Sequence, residues 1–164
     1  MEQEPRVSNA PFSLKKFRRA DHAFRWEDVE VKEYREGGDF FRSISKQVFF
    51  DSRHGLSCEL RYFEAEPGGY SAFERHEHVH GVMVLRGRGR VLMASDEQSC
   101  VQEVGEHDLI HVPPGTWHQF QADDDEYLGF LCLVNNDRDR PRRPDDEEKR
   151  RLRADPTIGP YVRL

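Results

Sequence analysis

Between Pro67 and Gly87 the chain places Glu74, His76, His78 and His80 at alternate positions. Imidazole and carboxylate are ligands for iron, manganese, nickel, cobalt or zinc. Residues two apart in a strand share a face, so the spacing predicts up to four metal-competent groups aimed into one space. A second stretch, Pro113 to Phe120, offers His118 on another strand. A single strand histidine ordinarily faces solvent. Three with a glutamate, after Pro67-Gly68-Gly69 and before the apolar run Val82 to Leu85, favour a shared ion instead. The two stretches are expected to close around one divalent cation inside a small β-barrel.

The rest of the chain must build that barrel. At 164 residues, 36% hydrophobic and 34% charged, it suits one domain with a compact core and a heavily charged surface. The net charge of −6, with acids and bases mixed, gives no footprint for nucleic acid. The arginine-rich pieces Lys15 to Arg19 and Arg138 to Arg143 have acidic flanks and read as solvated surface. The longest apolar run, Tyr127 to Val134, falls far short of the ~20 residues of a membrane helix. The polar start lacks the apolar stretch of a signal peptide. Cys58, Cys100 and Cys132 make neither a disulfide framework nor a paired zinc motif, so a reducing cytoplasm is expected.

Three regions are expected: an arm and barrel cover over 1–42, a barrel over 43–135, and a C-terminal helix and tail over 136–164. Residues 1 to about 20 read as a loose arm. Residues 24–42, with Phe24, Trp26, Tyr34, Phe40 and Phe41, read as an irregular cover with one or two short strands. Strands are expected at Lys46 to Phe50, Ser57 to Glu64, Val82 to Leu85, Arg90 to Ala94, Cys100 to Val104, Asp108 to Val112, Trp117 to Gln121 and Tyr127 to Val134. Pro67-Gly68-Gly69 is expected to break the chain before the His-rich strand. Gly87 and Gly89 mark a tight turn. Short strands at ~8–12-residue spacing with turn signals point to an all-β sandwich or barrel. Pro144 to Ala154 reads as a helix, with acids first and bases last to suit its dipole.

The chain resembles a cupin. Pro113-x-Gly115-x-x-His118 has the spacing of the second cupin motif, with Ala122 where asparagine is usual. Counted between Gly68 and Gly87, the first motif puts Glu74, His76 and His80 in ligand places. The resemblance implies a double-stranded β-helix (jelly-roll) barrel whose metal ligands are Glu74, His76, His80 and His118. In a competing register His76 and His78 form the pair and His80 is third, making His78 the alternate ligand. Parity does not separate them. Turn space favours the Glu74 register, because one residue between His78 and His80 leaves little room for a hairpin. His22, His54, His107 and His111 read as structural or surface residues, His111 being a candidate for the barrel mouth.

Further segments, Leu60 to Glu64, Tyr70-Ser71, Trp117 to Phe120 and Leu128 to Val134, are similar to a narrower bacterial group, the methylthioxylulose 5-phosphate methylsulfurylases of sulfur salvage. That likeness implies a metal-dependent transferase, manganese preferred, with iron, nickel, cobalt and zinc as alternatives. It also implies a sugar-phosphate substrate, glutathione as a possible co-substrate, and Cys132 as the candidate protein thiol, the alternative being a packed core cysteine. Arg61, Arg75 and Lys46 are the cations considered for the phosphate. Other cupin classes stay open: an Fe(II)-dependent dioxygenase, a sugar-phosphate isomerase, or a non-catalytic binding protein. By analogy with small cupins a homodimer is expected.

Overall fold

The computed structural model describes residues 13–36 and 40–164. The part of the expected arm before residue 13 lies outside the described residues. Ten strands follow one another: β1 (Phe17–Ala20), β2 (Ala23–Trp26), β3 (Val31–Glu36), β4 (Arg42–Phe50), β5 (Cys58–Tyr70), β6 (His80–Ala94), β7 (Ser99–Gly105), β8 (Leu109–Val112), β9 (Trp117–Ala122) and β10 (Leu128–Asn135). One helix, α1 (Asp146–Ala154), comes after them. Among the described residues no helix is long and apolar enough to cross a membrane.

Closure comes from two long strands. β6 pairs with β10 and β8 through its first half and with β7 and β9 through its second. β5 pairs with β4 and β10 and reaches β9 at Tyr70–Gln121. The circuit β10–β6–β9–β5–β10 therefore closes on itself, while β3, β7 and β8 are each paired on one side among the described residues. Alternation sends Val82, Val84, Phe120, Phe130, Cys132 and Val134 into one interior cluster. Phe63, Phe120 and Phe130 stack there, with ring centroids 4.4–5.5 Å apart.

Two covers bury the outside of the barrel. The β1–β2 hairpin lays Phe24 and Trp26 on Tyr62 and Phe49. The C-terminal tail packs Leu152, Ile158, Val162 and Leu164 against Phe73, Leu92 and Trp117. All six residues of β9 are buried as a result. Its odd positions face the tail: the Gln119 amide donates to the Arg163 carbonyl at 2.9 Å and that of Gln121 to the Tyr161 carbonyl at 2.9 Å.

Several sequence expectations need correction. β5 does not break at Pro67-Gly68-Gly69 but runs on to Tyr70, because positive φ at Gly68 (71°) bends the strand without ending it. Gly87 and Gly89 make no turn and lie inside the continuous β6. There glycine is required by close approach: a Cβ would sit 1.9 Å from the Tyr127 carbonyl oxygen at Gly87 and 2.1 Å from that of Gln121 at Gly89. The cover holds two short strands, β2 and β3, as expected, but β1 falls within the stretch read as a loose arm. The helix starts two residues late, at Asp146. There Asp145 accepts from the Glu147 and Glu148 amides, and Glu148 accepts from the Asp145 amide, a reciprocal cap.

Candidate metal centre

The His-rich segment is not a strand. From Ser71 to Val79 it carries only two isolated bridges, and regular pairing resumes at His80. The expectation that all four side chains share one strand face is thus replaced by a bent segment held between two neighbours. On one side the Ser71 amide donates to the Phe120 carbonyl (2.9 Å) and Glu74 to that of His118 (3.2 Å). The return bonds are His118 to Glu74 (3.0 Å) and Gly115 to His76 (2.8 Å). On the other side Arg75 and Arg142 exchange backbone bonds of 3.1 and 2.9 Å. The Asp139 carboxylate accepts from the Glu77 amide (2.9 Å) and the His78 amide (3.1 Å).

This anchoring gathers the imidazoles. Ligand atoms of His76, His78 and His80 lie within 4.8 Å of one another. The His118 ring stands 4.9 Å from that of His76 and 5.3 Å from that of His80. His76 Nδ1 lies 2.7 Å from the His78 carbonyl oxygen, and His118 Nδ1 2.9 Å from that of Thr116. A carbonyl only accepts, so each Nδ1 carries the proton and each Nε2 keeps its lone pair. The Nε2 atoms of His76 and His80 are buried without a hydrogen-bond partner. An orphaned buried acceptor is costly, and a cation between these rings would satisfy both. The donor set therefore fits a divalent metal.

Electrostatics keep the rings in the ligating form. Burial, then the neighbouring His118, His76 and Arg61, pushes His80 down to about 2. Burial holds His118 down to about 4, against the Thr116 carbonyl. Burial also lowers His76. Glu74 moves the other way: burial raises its carboxyl, countered by the charges of Arg61 and Arg143. His78 stacks on His76 at 3.6 Å and gives its Nδ1 to Asp139 Oδ1 at 2.7 Å. Asp139 is held down to about 2, first by the Glu77 amide and then by His78.

Cys132 lies on the inward face of β10, 1% exposed, opposite Arg61 of β5. Arg61 Nη2 donates to its Sγ at 3.6 Å. Burial pushes the thiol up, while the Arg61 charge and hydrogen bond oppose the rise. Of the cations considered for a phosphate, Lys46 joins Arg61 around Glu59. Arg75 does not: its guanidinium lies over Trp117 at 4.8 Å, under the C-terminal cover. His54 serves Asp51 in a local cap, and His107 and His111 are exposed. Asp139 was missed in the sequence, where it reads as one acid in a charged stretch. Arg138 and Arg142, read as solvated surface, are pinned to Glu59 (3.2 Å) and Glu148 (2.6 Å).

A closed strand barrel with imidazoles gathered from a bent segment, β6 and β9 is the arrangement of the cupins. The cupin domain family matches residues 61–134, and the chain belongs to it. Within that family it is 45% identical over 147 residues to the curated 1-methylthio-D-xylulose 5-phosphate methylsulfurylase of Rhodospirillum rubrum, covering 89% of this chain and 91% of that protein. It superposes on the crystal structure of a cupin-2 domain from Rhodospirillum rubrum with a TM-score of 0.79, at 44% identity, over 88% of this chain and 95% of that one. A conserved barrel domain protein from Rhodopseudomonas palustris matches with a TM-score of 0.81 at 42% identity, over 93% and 100% of the two chains.

Proposed function

We propose that this chain is a metal-dependent methylsulfurylase, moving the methylthio group of 1-methylthioxylulose 5-phosphate to a thiol and releasing 1-deoxyxylulose 5-phosphate. The observation that carries the reading is the juxtaposition of unpartnered His76 and His80 Nε2 atoms with His118 and the buried Arg61–Cys132 pair. The 45% identity to a curated methylsulfurylase supports it.

His76, His80 and His118 with Glu74 would hold the cation, with His78, its Nδ1 tied to Asp139, as the alternate ligand. A bound divalent ion, manganese in the first instance, would supply Lewis acidity toward the substrate's ketone. The chain's own residues do the rest. Arg61 holds Cys132 and favours its thiolate. That thiolate attacks the methylthio sulfur, the C1–S bond breaks, and its electron pair passes to the enolate. Protonation at C1 makes the methyl group. Glutathione thiolate then takes the methylthio group from Cys132 as a mixed disulfide and returns the cysteine. The apolar cluster of Val82, Val84, Phe120 and Phe130 keeps water from the sulfur.

The test is incubation of the purified protein with manganese, the methylthio sugar phosphate and glutathione, followed by NMR. Appearance of deoxyxylulose phosphate is expected, and its absence removes the proposal. A second reading has its own observation. The Cys132 thiol sits inside the apolar cluster and burial raises its pKa, which suits a packing residue, with glutathione attacking directly. Cys132→Ser separates the two, since only the first reading loses the Cys132–methylthio adduct, read by mass spectrometry, together with turnover.

A further inference from the structure

Beyond the imidazoles, the same end of the interior carries a charge cluster. Glu59 Oε1 accepts from Arg61 Nη1 at 3.4 Å and Arg138 Nη2 at 3.2 Å, and forms an ion pair with Lys46 Nζ at 3.6 Å. The residues come from β4, β5 and the segment after β10. Strand register brings them together, with Lys46 opposite Phe63, and with Arg61 and Glu59 opposite Cys132 and Val134. Glu59 alone does not neutralise the three cations that share it. Arg61 is 9% exposed and its Nε is buried without a partner. Lys46 is pushed down by burial and by the charges of Arg61 and Arg138, as expected where cations crowd without enough anion.

We infer that Lys46 and Arg138, gathered on Glu59, form the subsite for the phosphate dianion of the substrate, with Arg61 linking it to the reacting thiol. The inference rests on the sugar-phosphate reading above. A phosphate dianion supplies negative charge to this cation-rich cluster and offers acceptors for the lysine and the arginine fork. The order of contacts suits a molecule with its leaving sulfur at one end and its phosphate at the other. Cys132 touches Arg61, Arg61 touches Glu59, and Glu59 holds Lys46 and Arg138. Arg138 is steadied by the Asn135 carbonyl at 2.8 Å. The Lys46 and Arg138 side chains are each 22% exposed, so a phosphate reaches both from solvent without unfolding the strands. A purely structural ion-pair network needs no second cation beside Arg61 and gains nothing from crowding a third.

The experiment titrates the full-length protein with inorganic phosphate, then with 1-deoxyxylulose 5-phosphate and with unphosphorylated 1-deoxyxylulose, by calorimetry and ³¹P NMR. Lys46→Gln and Arg138→Gln are expected to weaken both phosphates about tenfold or more, the weight of one charge-assisted contact. The unphosphorylated sugar is expected to bind unchanged. Arg138→Lys is expected to keep most of the affinity, and Arg88→Gln, whose partners are Asp123 and Asp125, all of it. Circular dichroism checks that each variant is folded. Phosphate affinity unchanged in both glutamine variants, or no phosphate binding by the wild type, overturns the inference. Phosphate bound through Lys46 and Arg138 in a protein that never releases deoxyxylulose phosphate would sustain the subsite and remove only the methylsulfurylase reading.

Discussion

Replacing Glu64 by glutamine tests how the N-terminal cover is fixed to the barrel. The Glu64 side chain is 2% exposed and stands on the outer face of β5. Its carboxylate accepts from Arg86 at 2.9 Å, Tyr62 Oη at 2.8 Å, Arg25 at 3.2 Å and the Phe24 amide at 3.1 Å. Glu64→Gln keeps the shape but removes the charge from between two guanidiniums that are themselves largely buried. Breaking a buried pair by removing one partner costs about 3–5 kcal/mol. Because glutamine keeps one acceptor oxygen, the lower end applies, about 3 kcal/mol. For a domain of this size that lowers Tm by about 6–12 °C. Thermal unfolding followed by circular dichroism measures it. Trp26 fluorescence adds a local reporter, since its ring lies 4.9 Å from Tyr62 and 4.5 Å from Phe49. Tyr62→Phe, which removes one donor, is expected to cost about half as much. A loss below about 1 kcal/mol in Glu64→Gln would mean the network behaves as a solvated surface pair, and the reasoning would fall.

The metal reading predicts that His76→Ala and His118→Ala lose bound manganese while His78→Ala keeps it; loss in His78→Ala with retention in His118→Ala would move the ligand set to His76, His78 and His80. In the wild type, manganese at a hundredfold excess over its dissociation constant is expected to raise stability by about 2.7 kcal/mol, read as a Tm shift that His118→Ala abolishes. Glu148, held at about 2 chiefly by Arg142, contributes stability that is complete above its unfolded value of 4.5 and is lost as pH falls from there through about 2. Urea midpoints should therefore drop across that window in the wild type and stay flatter in Glu148→Gln. Gly129→Ala would place a Cβ 1.9 Å from Tyr62 Oη, and a loss of about 2 kcal/mol in chemical unfolding is expected.

Local pattern carried most of the barrel into view. The turns at Ser95–Gln98 and Pro113–Gly115, the apolar runs of β6 and β10 and the capped helix all follow from residue type and spacing. What was not legible depends on partners far along the chain. The His-rich segment alternates like a strand, yet it is bent. Its amides at Glu77 and His78 go to Asp139, and that at Arg75 to Arg142. Gly87 and Gly89 look like turn residues because the carbonyls pressed against them belong to Tyr127 and Gln121. Nothing local marks Glu64 and Gln47 as buried, because the neighbours that cover them arrive from β2. Type and spacing single out the His-rich stretch and His118, and the cupin resemblance picks Glu74, His76, His80 and His118 from it. The unpartnered Nε2 atoms of His76 and His80 needed the three-dimensional arrangement.

β9 serves two masters. His118 and Phe120 belong to the chamber, whereas Gln119 and Gln121 grip a tail some forty residues away. Anyone seeking to reshape the chamber can vary Phe120 and leave both His118 and the clasp untouched. Anyone seeking a tougher protein can strengthen the clasp without redrawing the pocket.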